Sequence, residues 1–239
     1  MTKRDLIIIP TYKEELNINI IYRRIRSNNS KSDILFIDDN SPDKTAEEIR
    51  KIIKLDEKVF ILEREKKLGI GSAHKDGFRW AIKKNYKFVT TIDADLSHEP
   101  ELIPDMIKKL EEYEIVLTGR FLRKDTLEEW PLIRRFVTKS RHTVVKILLG
   151  IPYDTSGAFR AYNFEKIEIT DLLKAEDNGY SFFWESLIIL YQKKYSIHEL
   201  PMRQPKRIHG SSKIALKDII KAISYLLYFY AKNLLKKNN

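Results

Sequence analysis

Short runs of aliphatic and β-branched residues, separated by segments whose apolar positions recur at helical spacing, constrain this chain more than any other feature. Residues 6–9, 34–37, 59–62, 88–92 and 115–117 read as buried strands. Between them Leu16, Ile20, Ile21 and Ile25, and then Ile49, Ile52 and Ile53, mark the inward faces of two helices. Strand and helix in strict alternation predict an open, largely parallel α/β sheet. After Arg120 the rhythm changes: a helical segment over 132–149, a glycine-bearing segment over 154–160, an aromatic helix over 181–191 and a basic loop over 203–213. The 239 residues fit one compact domain, residues 1–213, followed by an amphipathic helix and basic tail over 214–239.

Composition narrows the chemistry. With no cysteine the chain excludes disulfides, thiolate nucleophiles and thiolate-bound metals, and a reducing cytoplasm is its expected setting. Lys and Arg number 44 against 34 Asp and Glu, a net charge of +10, which points to anionic partners. Abundant Lys, Ile and Asn offer a second explanation, the codon bias of an AT-rich genome. The first apolar run ends at Pro10, too short for a secretory signal. The apolar stretch over 222–231 would cover roughly 15 Å as a helix, half of a bilayer's hydrocarbon thickness, so no span is expected.

In an open α/β sheet, ligands collect beyond the carboxyl ends of the strands. There the sequence places Pro10-Thr11-Tyr12-Lys13-Glu14, Asp38-Asp39-Asn40-Ser41-Pro42-Asp43 and Asp93-Ala94-Asp95. A crevice lined by carboxylates in a basic protein makes sense if a divalent cation escorts a phosphorylated ligand. The competing reading of Asp93 and Asp95 is plainer: strand-end carboxylates capping the next helix. Other nucleotide signatures fail. No Gly-x-Gly-x-x-Gly follows the first strand, and Gly69-Ile70-Gly71 leads into Ser72-Ala73-His74 with no P-loop lysine. The histidines show no metal-ligand spacing, and no Gly-x-Ser-x-Gly elbow exists. Nucleic-acid binding rests on charge alone, without an aromatic-basic signature, and is not expected.

Seven segments in register give the chain a resemblance. They are Ile8-Ile9-Pro10-Thr11-Tyr12-Lys13-Glu14, Ile37-Asp38-Asp39-Asn40-Ser41-Pro42-Asp43, Leu68-Gly69-Ile70-Gly71, Asp93-Ala94-Asp95-Leu96-Ser97-His98, Thr118-Gly119-Arg120, Thr155-Ser156-Gly157-Ala158-Phe159-Arg160 and Arg207-Ile208-His209-Gly210-Ser211-Ser212-Lys213. Together they make the sequence resemble family 2 of the glycosyltransferases, and within it the dolichol-phosphate mannose synthase branch. The resemblance implies a GT-A fold, a Rossmann-like sheet with a metal-binding Asp-x-Asp. It places Pro10, Tyr12, Glu14, Ile37 and Asp39 around the base and ribose of a nucleotide sugar. Asp93, Ala94, Asp95 and Ser97 would serve the diphosphate and a Mg²⁺ or Mn²⁺ ion; Ser97 stands where the branch often has glutamine, and its shorter hydroxyl reaches a metal through water. Arg120, Arg134, Arg207 and Lys213 would line donor or acceptor phosphates, with Asp93, Asp95, Arg120 and Arg134 carrying catalysis.

The implied reaction is inverting, metal-dependent transfer of a hexose, mannose from GDP-mannose favoured, to a polyisoprenyl phosphate. The alternatives are a UDP-glucose-dependent polyisoprenyl-phosphate glucosyltransferase or another family 2 polysaccharide enzyme, and, further off, a non-catalytic nucleotide-sugar-binding membrane scaffold. Read plainly, Arg134 and Arg135 are solvated helix arginines, the 207–213 segment is a surface loop, and Glu185 is a helix-surface acid. In the C-terminal helix Leu216, Ile219, Ile220, Ile223, Leu226, Leu227, Tyr230 and Leu234 share one face, with Lys217, Lys221, Ser224, Tyr228 and Lys232 opposite. Such a helix suits an anionic membrane interface or docking on the sheet or a second subunit. The expected location is cytoplasmic and peripheral to the membrane, with a homo-oligomer or a membrane-anchoring partner compatible with that face.

Overall fold

A computed structural model describes residues 4–29, 31–123, 125–127, 132–205, 224–226 and 228–230, with the side chains of 133, 134, 137, 141 and 149 left undescribed. Seven strands form one sheet in the order β3-β2-β1-β4-β6-β5-β7. The strands are β1 (Asp5–Thr11), β2 (Asp33–Asp38), β3 (Val59–Glu63), β4 (Phe88–Thr91), β5 (Ile115–Gly119), β6 (Arg160–Asn163) and β7 (Ile197–Pro201). The helices are α1 (Glu15–Asn28), α2 (Thr45–Ile53), α3 (Ile70–Lys83), α4 (Ile103–Lys109), α5 (Leu132–Leu149), α6 (Ile169–Leu173) and α7 (Ser181–Gln192).

The apolar runs of β1 and β2 are uninterrupted because both faces of the sheet are covered. Leu6, Ile8, Leu35 and Ile37 point to the side packed by Phe78 and Ala81 of α3 and Leu187 of α7. Ile7, Ile9, Ile34 and Phe36 point to the side packed by Ile18, Ile21 and Ile25 of α1 and Ile49 of α2. All of these residues are buried, each Leu, Ile and Phe side chain contributing roughly 1.5–3 kcal/mol relative to exposure. Gly77 of α3 lies where a Cβ would stand 2.7 Å from Ile37 Cδ1 and 2.9 Å from Ile8 Cγ2, so the helix sits directly on the sheet.

The five strands expected from the apolar runs are present, and so are the helices over 132–149 and 181–192. β6 and β7 were not expected. β6 runs antiparallel between β4 and β5, and β7 adds parallel to β5 at the edge. The polar residues of β6 hid it. Arg160 is nevertheless fully buried, donating to the carbonyls of Gly157 (2.8 Å) and Thr155 (2.9 Å), and Asn163 donates to that of Leu110 (3.0 Å). A polar residue can sit in a core strand when its hydrogen bonds are made there. Of the expected C-terminal helix, the described residues show helical pieces at 224–226 and 228–230. Tyr225, Leu226 and Phe229 pack on the core, with Trp184 5.5 Å from Tyr225 and 5.4 Å from Phe229 between ring centroids. Tyr225 therefore faces the domain, which agrees with docking on the domain, one of the arrangements the sequence left open for this helix. Position 213/214, the expected boundary, lies outside the described residues.

Candidate active site

β2 and β4 flank β1, and the chain leaves β1 toward β2 before returning to its other side as β4. This reversal opens a crevice beyond the carboxyl ends of the three strands, the position where parallel sheets accept ligands. A cavity of about 250 Å³ occupies it. Its walls include Pro10 at the end of β1 with Tyr12 and Glu14 just after it, Asp39 after β2, and Asp93, Ala94 and Asp95 after β4. The opposite wall comes from Gly69, Ile70 and Ala73 at the start of α3 and from Asp177, Gly179, Tyr180 and Ser181 before and at the start of α7.

Local hydrogen bonds hold the acidic loops. In the loop after β4, Leu96 is buried with φ +63, a left-handed conformation that costs free energy in a branched residue. The turn brings the backbone N–H and hydroxyl of Ser97 back onto Asp95 Oδ1, at 3.0 and 2.6 Å. Ser97 is buried, and in this structure its side chain orients Asp95. Asp93 donates its backbone N–H to His98 Nδ1 (3.2 Å), while His98 Nε2 lies 3.8 Å from Asp93 Oδ2. The His98 ring is buried and stacked on Phe159 with centroids 5.4 Å apart.

Asp39 is buried and accepts from the backbone N–H groups of Leu68 (2.9 Å) and Gly69 (3.0 Å) and from Arg64 Nη1 (2.9 Å). Arg64 also pairs with Asp76 at 3.3 Å and donates to Ser72. The loop between β3 and α3 is thereby fastened to the end of β2. Neighbouring Asp38 is structural: its carboxylate accepts from Ser41 N (2.9 Å), Ser41 Oγ (2.5 Å) and Thr11 Oγ1 (3.2 Å). Lys67 Nζ lies 3.7 Å from the centroid of the Tyr12 ring, a cation on an aromatic face within the cavity wall.

The remaining expected site residues lie elsewhere. Ile37 is fully buried in the core behind the crevice, packed beneath α3, so it shapes the cavity only from behind. Arg120, at the end of β5, is buried and held by Asp154 through Nε (2.7 Å) and Nη2 (2.9 Å), with further donation to Ser156 and, at 3.4 Å, to Gln204. Burial works to raise the Asp154 carboxyl, but the guanidinium beside it overrides this and holds it well below the usual carboxylate range. Glu199 on β7 accepts the Asp154 N–H at 2.8 Å, and burial pushes its carboxyl up. Arg134 lies on α5 with its side chain outside the described atoms, and Arg207 and Lys213 lie outside the described residues.

Three residues escaped the sequence reading. Glu185, expected on a helix surface, is 2% exposed and accepts from the backbone N–H groups of Glu176 (2.8 Å) and Asp177 (3.1 Å) and from Tyr225 (3.0 Å). Asp177 supports the cavity wall by accepting from Gly179 N and Ser181 N at 2.8 and 3.0 Å. Asp154 carried no motif that marked it as the partner of Arg120. His74 is a core residue: burial lowers its pKa to about 4, Nδ1 bonds the Ile70 carbonyl at 2.9 Å, and aromatic rings surround it.

A chain of this design has known relatives. It is 30% identical over 225 residues to the polyprenol monophosphomannose synthase of Mycolicibacterium smegmatis, covering 93% of this chain and 85% of that protein. It is 30% identical over 213 residues to the undecaprenyl-phosphate mannosyltransferase of Micrococcus luteus, covering 89% and 88%. The fold matches that of glucosyl-3-phosphoglycerate synthase from Mycobacterium tuberculosis, solved with Mn²⁺, UDP-glucose and phosphoglyceric acid. The TM-score is 0.67 at 17% identity, over 96% of this chain and 80% of that one. The fold is thus of the GT-A type, as the resemblance implied. Residues 6–169 match the model of glycosyl transferase family 2; the chain belongs to that family and is a glycosyltransferase.

Proposed function

We propose that the protein transfers a hexose, mannose from GDP-mannose, to a polyisoprenyl phosphate at a membrane surface. The observation that carries the reading is the crevice itself: Pro10, Tyr12, Glu14, Asp39, Asp93 and Asp95 converge on one cavity in a chain of net charge +10. Both relatives named above are mannosyl-transferring enzymes of polyprenyl phosphates, which supports the sugar and the acceptor class.

The donor set fits a divalent cation. Two carboxylates on one short loop offer hard oxygen ligands, and among the described residues no group of three or more His, Cys, Asp or Glu could enclose a metal by itself. Such a pair suits Mg²⁺ or Mn²⁺, whose shell is completed by water and substrate phosphate. When bound, the ion would neutralise charge developing on the leaving nucleoside diphosphate. Asp93 and Asp95 would hold it, with Ser97 fixing the carboxylate of Asp95 and His98 beside that of Asp93.

The chemistry asks little proton transfer of the protein. The bond between the anomeric carbon and the diphosphate oxygen breaks as one forms to an oxygen of the acceptor phosphate. That oxygen is already anionic at neutral pH, so no general base is needed. No histidine lines the cavity among the described residues. Displacement from the opposite face inverts the anomeric centre. The resemblance would set Arg120 toward a phosphate, but its charge is balanced by Asp154 and it lies outside the cavity lining, so its part is to hold the loop after β5. Further cations come from Arg134, Arg207 and Lys213.

The acceptor is a lipid, and α5 supplies a surface for it. Leu132, Phe136 and Ile147 share one helical face and are 76%, 72% and 74% exposed. Exposed Lys139 and Lys146 flank that face, a combination suited to an anionic interface. No helix among the described residues is long and apolar enough to cross a membrane.

Thermal unfolding with GDP or UDP, each with and without Mn²⁺, tests the donor. GDP with Mn²⁺ should stabilise the fold by about 2.7 kcal/mol at one hundred times its dissociation constant. Stabilisation by UDP alone moves the donor to UDP-glucose, and stabilisation by neither removes the reading.

A further inference from the structure

We infer that Tyr225 and Glu185 form a positioning pair through which the C-terminal segment holds one wall of the nucleotide-sugar cavity in place. The inference rests on the donor reading only in naming what the cavity takes. Tyr225 lies in the helical piece at 224–226 and Glu185 on α7, 40 residues apart in sequence. The phenol donates to Glu185 Oε1 at 3.0 Å, and burial together with the Glu185 carboxylate pushes the phenol pKa up, so it stays a donor. Glu185 passes the constraint on. Its Oε1 also accepts the Glu176 N–H at 2.8 Å, and its Oε2 accepts the Asp177 N–H at 3.1 Å.

From Asp177 the bonds run into the cavity wall. The Asp177 carboxylate accepts from Gly179 N and Ser181 N, and Asp177, Gly179, Tyr180 and Ser181 all line the cavity. The same loop fits against the start of α3. Ser72 donates its N–H to the Asn178 carbonyl at 3.1 Å, and Lys75 Nζ donates to Asn178 Oδ1 at 3.1 Å. A Cβ on Gly71 would stand 2.6 Å from Phe182 Cβ and 2.8 Å from the Gly179 carbonyl oxygen, so the approach tolerates no side chain. A loop of six residues thus takes its position from one buried carboxylate, and that carboxylate shares an oxygen with a donor on the C-terminal segment. Trp184, next to Glu185, packs its ring tilted against Tyr225 and edge-on to Phe229, which fixes the geometry of the pair.

Removing the phenolic oxygen leaves Glu185 Oε1 with one donor in place of two while the ring still packs on Trp184. Hydrogen exchange on the full-length protein, without ligand, should show the amides of Glu176, Asp177, Gly179 and Ser181 exchanging about tenfold faster in Tyr225→Phe, the loss of one hydrogen bond to a charged group. Amides in β1 and β2 should exchange at the wild-type rate. Glu185→Gln should do the same, and the double variant should be no faster than Glu185→Gln alone, because the two groups act through one bond. The dissociation constant for GDP or UDP with Mn²⁺ should rise severalfold in Tyr225→Phe, with the melting temperature lowered by only about 3–6 °C.

Unchanged exchange over 176–181 in Tyr225→Phe overturns the inference. So does faster exchange spread over the whole sheet, which marks a general loss of stability, or faster loop exchange with unaltered nucleotide affinity. A wild-type chain that binds neither nucleotide removes the donor reading instead, and the ligand-free exchange comparison then decides the coupling by itself.

Discussion

On one side of the sheet's midline, β1, β2 and β4 run parallel and deliver short acidic loops into a shared crevice. On the other, β6 runs antiparallel between β4 and β5, and the principal charged residue, Arg120, is turned inward onto Asp154. In the proposed reading the first region presents carboxylates to a nucleotide sugar and its cation; the second neutralises its own arginine with a buried partner. The difference follows from what each must hold. A diphosphate brings negative charge and is met by acids only if a cation comes with it. A buried guanidinium must be paired whether or not a ligand is present, because an isolated charge in the interior costs several kcal/mol.

Substitutions at three positions would break or sharpen that contrast. Asp95→Asn should act on chemistry and spare the fold, since an amide oxygen can still accept from Ser97. Transfer should fall by about 10³- to 10⁴-fold, roughly 4–5.5 kcal/mol, with the melting temperature nearly unchanged. The check is a transfer assay alongside wild type in EDTA, which should be equally inactive. Full activity in EDTA would leave the acidic crevice without its cation and remove the contrast.

Asp154→Ala should do the reverse. Breaking one side of a buried pair costs about 3 kcal/mol or somewhat more in stability, read from urea unfolding. Acid unfolding separates the two regions further. His74 has a folded-state pKa of about 4, below its ordinary 6.5, so protonation favours the unfolded chain and stability falls as pH drops from about 6.5 toward 4. Asp154 is also depressed, so its contribution is full above the ordinary carboxylate pKa of about 3.9 and is lost below it as pH falls toward the folded value. Asp154→Asn should flatten the second phase and keep the first.

The smallest effect is expected on α5. Phe136→Glu should weaken association with anionic vesicles about tenfold, in line with the roughly 1.5–3 kcal/mol for taking such a side chain out of water. Stability should stay within about 0.5 kcal/mol, because Phe136 is 72% exposed. Equal sedimentation of variant and wild type would remove α5 as the lipid-facing surface.

Four of the motifs, over 8–14, 37–43, 93–98 and 118–120, were legible in the sequence because they sit where the chain leaves a strand, and a strand end is a local feature. Pro10, Asp39, Asp93 and Asp95 each follow an apolar run whose length and composition announce it. Ile37, expected beside the base and ribose, is buried in the core near the end of β2, and the chain leaves the strand at Asp39. Glu185 was read as a surface acid because a glutamate between Trp184 and Ser186 carries no sign of what lies around it. Its three donors come from residues 8, 9 and 40 positions away.

The order of the first five strands, the helices that follow β1 and β2, the parallel half of the sheet and the acidic loops at its carboxyl edge were legible in the sequence alone. Hydrophobic period and the residues at strand exits are properties of neighbours along the chain. The antiparallel β6, the pairing of Arg120 with Asp154, and the wall built by Asp177, Glu185 and Tyr225 were decided by the tertiary structure. Each depends on a polar group finding its partner across the fold, and only the folded chain brings those partners within hydrogen-bonding distance.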